Sequence, residues 1–569
     1  MLSDVALTLD PLLPVQREAV TCEREPLLVL GAAGSGKTRT IEARFVGLVE
    51  QGCRPERMLL MTASAARADA ARLRLEHVLR DGYDELFVLT AVELAALILG
   101  VAGAGVDPLE PVLSPAERFA MLLEGIDRLS LERHDFGGSA HALLAGFIRR
   151  IDRLKAHLVS AEEYARWAAR QVEADSGDGG DAAVEQEFAE VYRVHEQLLA
   201  EAGARDAGDL IRDALRVVGS RASAGERFEH VLVDDAHDLD LASATLSRAV
   251  AGGRLTVAAD PVGLVGDSPL GEPALGDPHV VVLGASLRVP RRVLRAAGAL
   301  VGLGTFEPAS VEGEIVFWRC ANERAQAQAV AADVERLVAA ERVSAGQIAV
   351  LVPSVAREGQ AVGVALEERA VPHQVVGETA YFRRAEIRDL LAWLRLLADP
   401  TDAPAVVRAL ARPPVELRSV DIARCTQIAR RRKLDMVAAL EAAIEAPQVP
   451  PEARERINAF LKLYRAGMAE IDSTRPDLYV HRLIDRLGLR RQQLFAAQSD
   501  VVERLRALAR FGGLAAAFAR RLPHATPREF ARHIAAVADF GLREHEEPDL
   551  LHPQLVQIVA LDSAGALEV

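Results

Sequence analysis

A glycine-rich segment near the amino terminus has the residue types and spacing of a phosphate-binding loop. It follows a short apolar run, residues 26–30, which proline and glycine bound and which we predict to be a buried strand. A helical pattern begins directly after the segment, and the order strand, GxxxxGKT, helix is the context of such a loop. The predicted nucleotide-binding residues are Gly31, Ala32, Ala33, Gly34, Ser35, Gly36, Lys37, Thr38 and Arg39.

Phosphate binding explains why these residue types occur together. Glycines let backbone N–H groups surround phosphate oxygens, and the positive end of the following helix adds to the attraction. The chain has only four lysines, so a lysine at the position that this chemistry requires is informative. We predict that Lys37 bridges the β- and γ-phosphates and that Thr38 holds Mg²⁺. The alternative is a glycine-rich turn with a chance lysine.

A pair of carboxylates follows a second apolar run. Residues 228–233 form a predicted strand, and Asp234 and Asp235 come directly after it. We predict that Asp234 belongs to the Mg²⁺ shell and that Asp235 orients or activates the attacking water. A solvated aspartate turn is the alternative. About 195 residues separate this pair from the loop, more than one crossover needs, which predicts an inserted domain.

Composition limits the classes of protein to which the chain can belong. It has 569 residues, 50% hydrophobic and 26% charged, as expected for a folded globular chain of about four domains. The net charge of −15 excludes a strongly basic nucleic-acid coat, so any DNA binding must use a local groove. Four scattered cysteines exclude a zinc ribbon or a disulfide scaffold and fit a reducing cytoplasm. The sequence shows neither a membrane-spanning stretch nor a secretory signal.

Together with these two sites, several further segments resemble the superfamily 1A DNA helicases of the UvrD/Rep/PcrA group. The resemblance extends from about residue 10 to Val569. The segments that carry it are 15–20 (Q motif), 206–211 (DFxDLL), 233–238 (DExQD), 283–288 (motif IV), 376–400 (GGxxFFxRxEIKDxLAYLRLxxNPxD) and 556–568 (motif V). No nucleotide chemistry requires the 376–400 block, so it favours kinship with this group over a generic P-loop protein.

The resemblance implies roles for three further residues. Gln16 stands at the position of the glutamine that recognises adenine, Arg288 at that of an arginine that reaches the γ-phosphate, and Glu568 at that of a glutamate that contacts the ribose. It also implies ATP with Mg²⁺, and single-stranded DNA or a junction of single and double strands as the partner, tracked in the 3′→5′ direction. A helicase–nuclease or repair protein is a second implied partner, and the implied location is the cytoplasm, at the nucleoid.

The segments that contact DNA in the family depart from its pattern. Motif Ia (62–68) lacks the aromatic residue and the lysine, and motif Ib (90–92) lacks the phenylalanine and the histidine. Motif III (258–268) lacks the glutamine, tyrosine, tryptophan and arginine, and motif V (560–566) lacks the histidine and the lysine. Stacking on aromatic side chains contributes about 1–3 kcal/mol per base in single-strand channels. We therefore expect weakened DNA binding.

Few residues remain as candidates for DNA contact. They are Thr62, Arg67 and Thr90, with Arg72 as a further phosphate contact. For the two arginines the alternative is an exposed helix face. A basic run at residues 430–433 is a candidate for contact with duplex DNA, with a solvated helix face as its alternative.

The nucleotide site departs from the family less than the DNA-contact segments do. Asp235 is one methylene shorter than the family glutamate, a retraction of roughly 1.5 Å, and a misplacement of that size costs about 10²-fold in rate. His237 replaces a glutamine and is either a phosphate contact or a structural histidine; Leu287 replaces the tyrosine that stacks on adenine. We expect nucleotide binding with slow turnover.

The predicted fold class is α/β, with two RecA-like P-loop motor domains that contain parallel sheets and each carry a mainly helical insertion. The predicted domains are 1–105 with 206–280 (motor domain 1A), 106–205 (helical insertion 1B), 281–412 with 550–569 (motor domain 2A) and 413–549 (helical insertion 2B). The predicted strands are 27–30, 58–62, 231–233, 255–259, 315–318, 348–352 and 374–376, and one long helix is predicted over 422–442.

The sequence stops at Val569, in the segment that resembles motif V, so we expect an incomplete domain 2A without motif VI. Either the sequence is a fragment or the protein ends there, in which case strong helicase activity is not expected.

The leading hypothesis is an ATP-dependent translocase on single-stranded DNA, active in repair or recombination. The alternative is a catalytically impaired motor that binds ATP and DNA as a scaffold beside an active helicase–nuclease. A nucleotide kinase is disfavoured because it leaves the 376–400 block unexplained.

Overall fold

The computed structural model of the chain describes most of the sequence. The described residues are 12–79, 83–102, 112–134, 140–174, 180–220, 228–264, 268–301, 311–375, 381–382, 384–489, 498–539, 554–561 and 564. The strands are β1 (Leu27–Gly31), β2 (Met58–Met61), β3 (Phe87–Leu89), β4 (His230–Val233), β5 (Leu255–Ala259), β6 (His279–Leu283), β7 (Ala349–Val352), β8 (His373–Val375) and β9 (Val556–Ala560).

The helices are distributed along the whole described chain. Those of the amino-terminal half are α1 (Pro14–Thr21), α2 (Lys37–Glu50), α3 (Ala65–Leu79), α4 (Ala91–Ala102), α5 (Pro115–Glu124), α6 (Ala140–Ala156), α7 (Ala161–Ala174), α8 (Gly180–Glu201), α9 (Ala207–Ser220), α10 (Leu241–Ala249), α11 (Glu272–Leu275) and α12 (Arg291–Val301). Those that follow are α13 (Glu323–Ala339), α14 (Gln360–Glu367), α15 (Ala385–Ala398), α16 (Ala403–Ala411), α17 (Ser419–Arg432), α18 (Met436–Ile444), α19 (Pro451–Met468), α20 (Pro476–Arg486), α21 (Gln498–Arg521) and α22 (Pro527–Asp539). None of the described helices is long and apolar enough to cross a membrane.

Six parallel strands form the first sheet, in the order β3-β2-β4-β5-β1-β6. One buried cluster joins one face of the sheet to α1, α2 and α3, and a second joins the other face to α4, α9 and α10. Helices on both faces explain why these strands are almost continuously apolar. Because the strands are parallel, the segments after their carboxyl ends meet at a single edge of the sheet.

The second sheet is smaller and consists of three parallel strands in the order β7-β9-β8. It shares a buried core with α13 and α14. Two parallel sheets with many helices confirm the predicted α/β class. Strands β3, β6 and β9 were not among the predicted strands, and the six other strands lie within one or two residues of their predictions.

The predicted strand at 315–318 is wrong. Residues 311–320 form no regular element, and the Phe317 side chain is 92% exposed. A strand must satisfy its backbone N–H and C=O groups on a neighbouring strand. No strand among the described residues pairs with this segment, so an apolar run alone was not sufficient.

A buried ionic cluster joins helices α5, α6 and α8 to the start of α9. The Lys155 ammonium, on α6, lies 2.7 Å from a carboxylate oxygen of Asp206, 2.9 Å from one of Asp209 and 2.7 Å from one of Glu196. Arg118, on α5, lies 3.1 Å from Asp206. Burial lowers the pKa of Lys155, but the three carboxylates outweigh it and raise that pKa, so the amine stays charged. The sequence analysis did not predict this role for Lys155.

Helices on both sides of the predicted domain boundary at residue 412 share one buried core. One core, from Tyr381 to Ile534, contains α15 and α16 together with the helices from α17 to α22. The single helix predicted over 422–442 is two helices, α17 and α18. Lys433 lies between them with a φ of 52°, a left-handed conformation that ends α17.

Candidate nucleotide site

The loop between β1 and α2 has the backbone conformation that phosphate binding requires. Gly34 and Gly36 have φ values of 74° and 86°, which side-chain-bearing residues rarely adopt. The backbone N–H of Ser35 donates to the carbonyl of Ala32 at 3.2 Å, and α2 begins directly after Gly36. The amino end of α2, and the N–H groups of the loop, therefore meet at the edge of the first sheet.

Lys37 is buried in this loop. Its ammonium donates to the carbonyl oxygens of Gly31 at 3.0 Å and Ala32 at 3.2 Å, and the residue is 8% exposed. These carbonyls hold the ammonium where the predicted phosphates bind.

Three further side chains at this edge carry buried polar atoms that have no partner among the described residues. They are the Ser35 hydroxyl, the Arg39 guanidinium at Nε and Nη2, and Oδ1 of Asp234. Buried polar atoms are costly unless something satisfies them. An anionic nucleotide satisfies the guanidinium, and a divalent cation satisfies the carboxylate, so the residues present fit ATP with Mg²⁺.

Asp234 is fully buried behind the loop, at the end of β4. Burial and the neighbouring charge of Asp235 raise its pKa from 3.8 to about 7, although a hydrogen bond with Thr38 and the charge of Lys37 oppose the shift. A bound cation would favour the ionised form. Thr38 and Asp234 are thus in contact, as the predicted pair of Mg²⁺ ligands requires.

Asp235 occupies a strained backbone position. Its φ and ψ are 47° and 48°, a left-handed conformation that is uncommon outside glycine. Such strain clusters at functional sites. The side chain is 19% exposed, and its Oδ2 lies 3.3 Å from the guanidinium of Arg67.

Gln16 lies against the phosphate loop. It is 2% exposed, its amide nitrogen donates to the carbonyl of Ser35 at 3.1 Å, and its amide oxygen accepts from the backbone N–H of Leu13 at 2.9 Å. The Q-motif residue and the loop therefore touch, as the resemblance implied, although the interaction with adenine stays a prediction.

We predict that Gly36→Ala weakens ATP binding by about 10–100-fold. A Cβ at Gly36 would lie 2.5 Å from the Gln16 amide nitrogen, at a φ of +86°, and strain of about 1–3 kcal/mol corresponds to that loss. Titration with a fluorescent ATP analogue measures it. Gly52→Ala is the matched control, because Gly52 has a φ of +98° but no atom within 4 Å of a Cβ. Equal affinity of the two variants would contradict the prediction.

Arg44 was missed by sequence reasoning, although it anchors α1 beneath the site. It is 1% exposed and donates to the carbonyls of Ala19, Val20 and Cys22 at 2.8–3.2 Å. It also donates to Glu25 Oε1 at 2.7 Å and to the Thr256 hydroxyl at 2.9 Å. The available signal was an arginine within the helix that follows the phosphate loop. An arginine that is buried in such a helix is almost never unpaired.

The segment after β6 lies on the phosphate loop. Ser286, which the sequence analysis did not single out, is buried and donates its hydroxyl to the carbonyl of Ala33 at 2.9 Å. The backbone N–H of Leu287 donates to the carbonyl of Gly34 at 2.8 Å. A Cβ at Gly34 would lie 3.2 Å from Cβ of Arg288. The predicted γ-phosphate arginine is therefore adjacent to the loop.

His237 joins the carboxylate segment to the loop after β5. Its Nδ1 accepts from the backbone N–H of Asp260 at 3.1 Å, and a Cβ at Gly263 would lie 2.7 Å from its Cβ. This packing favours the structural interpretation of His237 over a phosphate contact.

The predicted DNA contacts are engaged within the protein. The Thr62 hydroxyl is buried and donates to the carbonyl of Ser64 at 3.0 Å, whereas the Thr90 hydroxyl donates to Glu93 at 2.9 Å and caps α4. Arg72 pairs with Asp69 and with the carbonyl of Val88; Arg67 binds two carboxylates. Glu568 lies outside the described residues, as do Val265 and Asp267 of motif III.

Comparison with known protein families identifies the group. Residues 12–268 match the family model of the UvrD/REP helicase N-terminal domain, and residues 300–568 match that of the UvrD-like helicase C-terminal domain. The chain belongs to the UvrD/Rep/PcrA group of superfamily 1 helicases. This confirms the resemblance seen in the sequence.

Curated relatives extend over most of the chain. The ATP-dependent DNA helicase PcrA of Bacillus subtilis is 22% identical over 98% of this chain and 76% of its own length. UvrD1 of Mycobacterium tuberculosis is 26% identical over 85% and 65%, and DNA helicase II of Escherichia coli is 24% identical over 86% and 68%. This chain therefore spans about two thirds to three quarters of the length of these relatives.

Proposed function

We propose that this helicase-family chain hydrolyses ATP and uses the energy to move along single-stranded DNA, in the 3′→5′ direction, in repair or recombination. Three curated relatives are named as DNA helicases, and helicase family models match both halves of this chain. We further propose a cytoplasmic location at the nucleoid and a substrate with a junction of single and double strands.

One observation carries the nucleotide part of this proposal. Within the described part of the chain, Ser35, Arg39 and Asp234 present buried polar atoms without partners, and they lie in or directly after the strands and loop that carry the buried Lys37 and Asp235. Buried polar atoms without partners are costly, and a bound nucleotide would supply partners for these. Their donors and acceptors suit a triphosphate and a divalent cation.

Each residue has a proposed role in hydrolysis. Lys37 and the loop N–H groups neutralise the β- and γ-phosphates, and Arg288 adds a positive charge beside the γ-phosphate. Thr38 and Asp234 would hold Mg²⁺, which when bound neutralises charge on the phosphate oxygens. Asp235 accepts a proton from the attacking water or orients it. Gln16 is proposed to select adenine, and Glu568 to contact the ribose.

A second candidate function is a scaffold that binds ATP and DNA beside an active helicase–nuclease partner. The observation that favours it over translocation is that Thr62, Thr90 and Arg67 already bind groups within the protein, which disfavours the DNA contacts that a translocase makes and breaks at each step. Under this hypothesis nucleotide binding sets conformation, and turnover is negligible.

Steady-state ATP hydrolysis with and without single-stranded DNA tests the choice, with Lys37→Ala as the blank. We expect turnover that DNA stimulates and that falls at least about 10²-fold in the variant, because a buried cation at the phosphates is lost. The translocase proposal would be contradicted, and the scaffold favoured, if the wild type turned over no faster than Lys37→Ala while a fluorescent ATP analogue still bound.

A further inference from the structure

The Arg67 side chain connects the segment after β2 to the carboxylates after β4. Its Nη1 lies 2.7 Å from Asp238 Oδ2 and 3.3 Å from Asp235 Oδ2, and the side chain is 19% exposed. β2 and β4 are neighbours in the sheet, and Met61 pairs with Val233 at their carboxyl ends. The first turn of α3 therefore reaches the turn that contains Asp235.

This geometry opposes the assignment of Arg67 to a DNA phosphate. Among the described residues, no other arginine or lysine pairs with Asp235 or Asp238. An Arg67 that turned towards a phosphate would leave two adjacent carboxylates without a cation. Neighbouring carboxylates repel each other when no cation lies between them. The departure of Arg67 therefore costs electrostatic energy, and a contact with a DNA phosphate would have to exceed that cost.

We propose that Arg67 is a positioning residue for ATP hydrolysis, which holds the Asp235 carboxylate in place for the attacking water. The inference rests on the proposed function, since Asp235 acts only if ATP is hydrolysed. Asp235 is short and sits at a left-handed φ of 47°, so the backbone does not by itself fix its carboxylate. Arg67 engages Asp235 Oδ2 from the first turn of α3, and the same Nη1 also pairs with Asp238 Oδ2.

The test compares Arg67→Ala and Arg67→Lys with the wild type, in the full chain. Arg57→Ala is the matched control. Arg57 pairs with Glu229 at 3.1 Å, and these two residues directly precede β2 and β4, at the amino ends of the same two strands. For Arg67→Ala we expect kcat at saturating single-stranded DNA to fall about 10–100-fold, with KM for ATP within about twofold of the wild type. Arg67→Lys should recover part of this loss, since it keeps the charge but not the planar fork.

DNA affinity measured against salt concentration separates the two assignments. A positioning residue leaves the slope of log K against log salt unchanged. Loss of one phosphate contact on single-stranded DNA reduces that slope by about 0.7. A reduced slope in Arg67→Ala together with an unchanged kcat at saturating DNA would overturn the proposal.

A double-mutant cycle tests whether Arg67 acts through Asp235. Arg67→Ala in an Asp235→Asn background should lower kcat no further, because the two residues act as a unit. A further tenfold loss would assign Arg67 to another role. If the wild type turns over no faster than Lys37→Ala, the proposed function fails and the positioning role fails with it. If the wild type hydrolyses ATP and Arg67→Ala keeps its kcat, the positioning role alone is overturned.

Discussion

Asp234→Asn should abolish ATP hydrolysis and yet raise the melting temperature of the nucleotide-free protein. The carboxylate is buried beside Asp235, and its Oδ1 has no partner in the described part of the chain. Loss of a metal ligand of this kind costs about 3–4 kcal/mol of transition-state stabilisation, which is about 10²–10³-fold in kcat. A neutral amide of the same shape removes the cost of burying an ionised group.

The gain in stability should depend on pH in a defined direction. The folded pKa of Asp234, about 7, lies above its ordinary value of 3.8. The unfolded chain therefore gives up this proton more readily than the folded chain, so folding stability falls as pH rises from about 4 to about 7. Asn at this position should melt higher than the wild type at pH 8, and the difference should disappear near pH 4.

Thermal unfolding without nucleotide or Mg²⁺, at pH 5 and pH 8, measures this effect. A gain of 1 kcal/mol corresponds to about 2–4 °C for a domain of roughly 200 residues. Asp69→Asn is the control for loss of one negative charge, because that carboxylate is 60% exposed and its ion pair contributes little. Mg²⁺ should stabilise the wild type more strongly as pH rises, since its binding displaces the proton. An Asp234→Asn variant that melts below the wild type at pH 8 would refute the assignment.

Arg44→Met should lower the melting temperature by roughly 10 °C and weaken discrimination between ATP and GTP. Breaking a buried ion pair from one side costs about 3–5 kcal/mol. Here Glu25 would lose its cation, and the carbonyls at the end of α1 would lose their donor. Because α1 carries Gln16, its displacement should move the amide that is predicted to recognise adenine.

Thermal unfolding and KM values for ATP and GTP check this prediction. Arg17→Ala is the matched control on the same helix, since Arg17 is exposed and, as far as the described residues extend, its guanidinium binds the carbonyl of Leu12 alone. Arg44→Lys should be intermediate, because an ammonium keeps the charge but lacks the five donors of a guanidinium. A variant Arg44→Met that melts within 2–3 °C of the wild type, about 1 kcal/mol, would show that the network contributes little.

The sequence by itself determined the nucleotide chemistry and the family. The loop at 31–38 is a run of adjacent residues whose glycines permit the left-handed backbone that this loop adopts, so its conformation is decided locally. The carboxylates at 234 and 235 follow a run apolar enough to be buried on both faces. Strand and helix types were predictable for the same reason, because periodicity and capping act over a few residues.

Only the tertiary structure decided which distant residues support that chemistry. Arg44, Ser286 and Lys155 are tied to the site or its domain by contacts over 24 to 253 residues of sequence, and each pairing depends on how helices and strands pack in space. The run at 315–318 looks like a strand, but a strand exists only where a neighbour accepts its hydrogen bonds. Arg67 is a basic residue on a candidate DNA segment by sequence, whereas the adjacency of β2 and β4 brings it to Asp235. Long-range electrostatics and hydrogen bonding depend on positions in space, which local patterns do not encode.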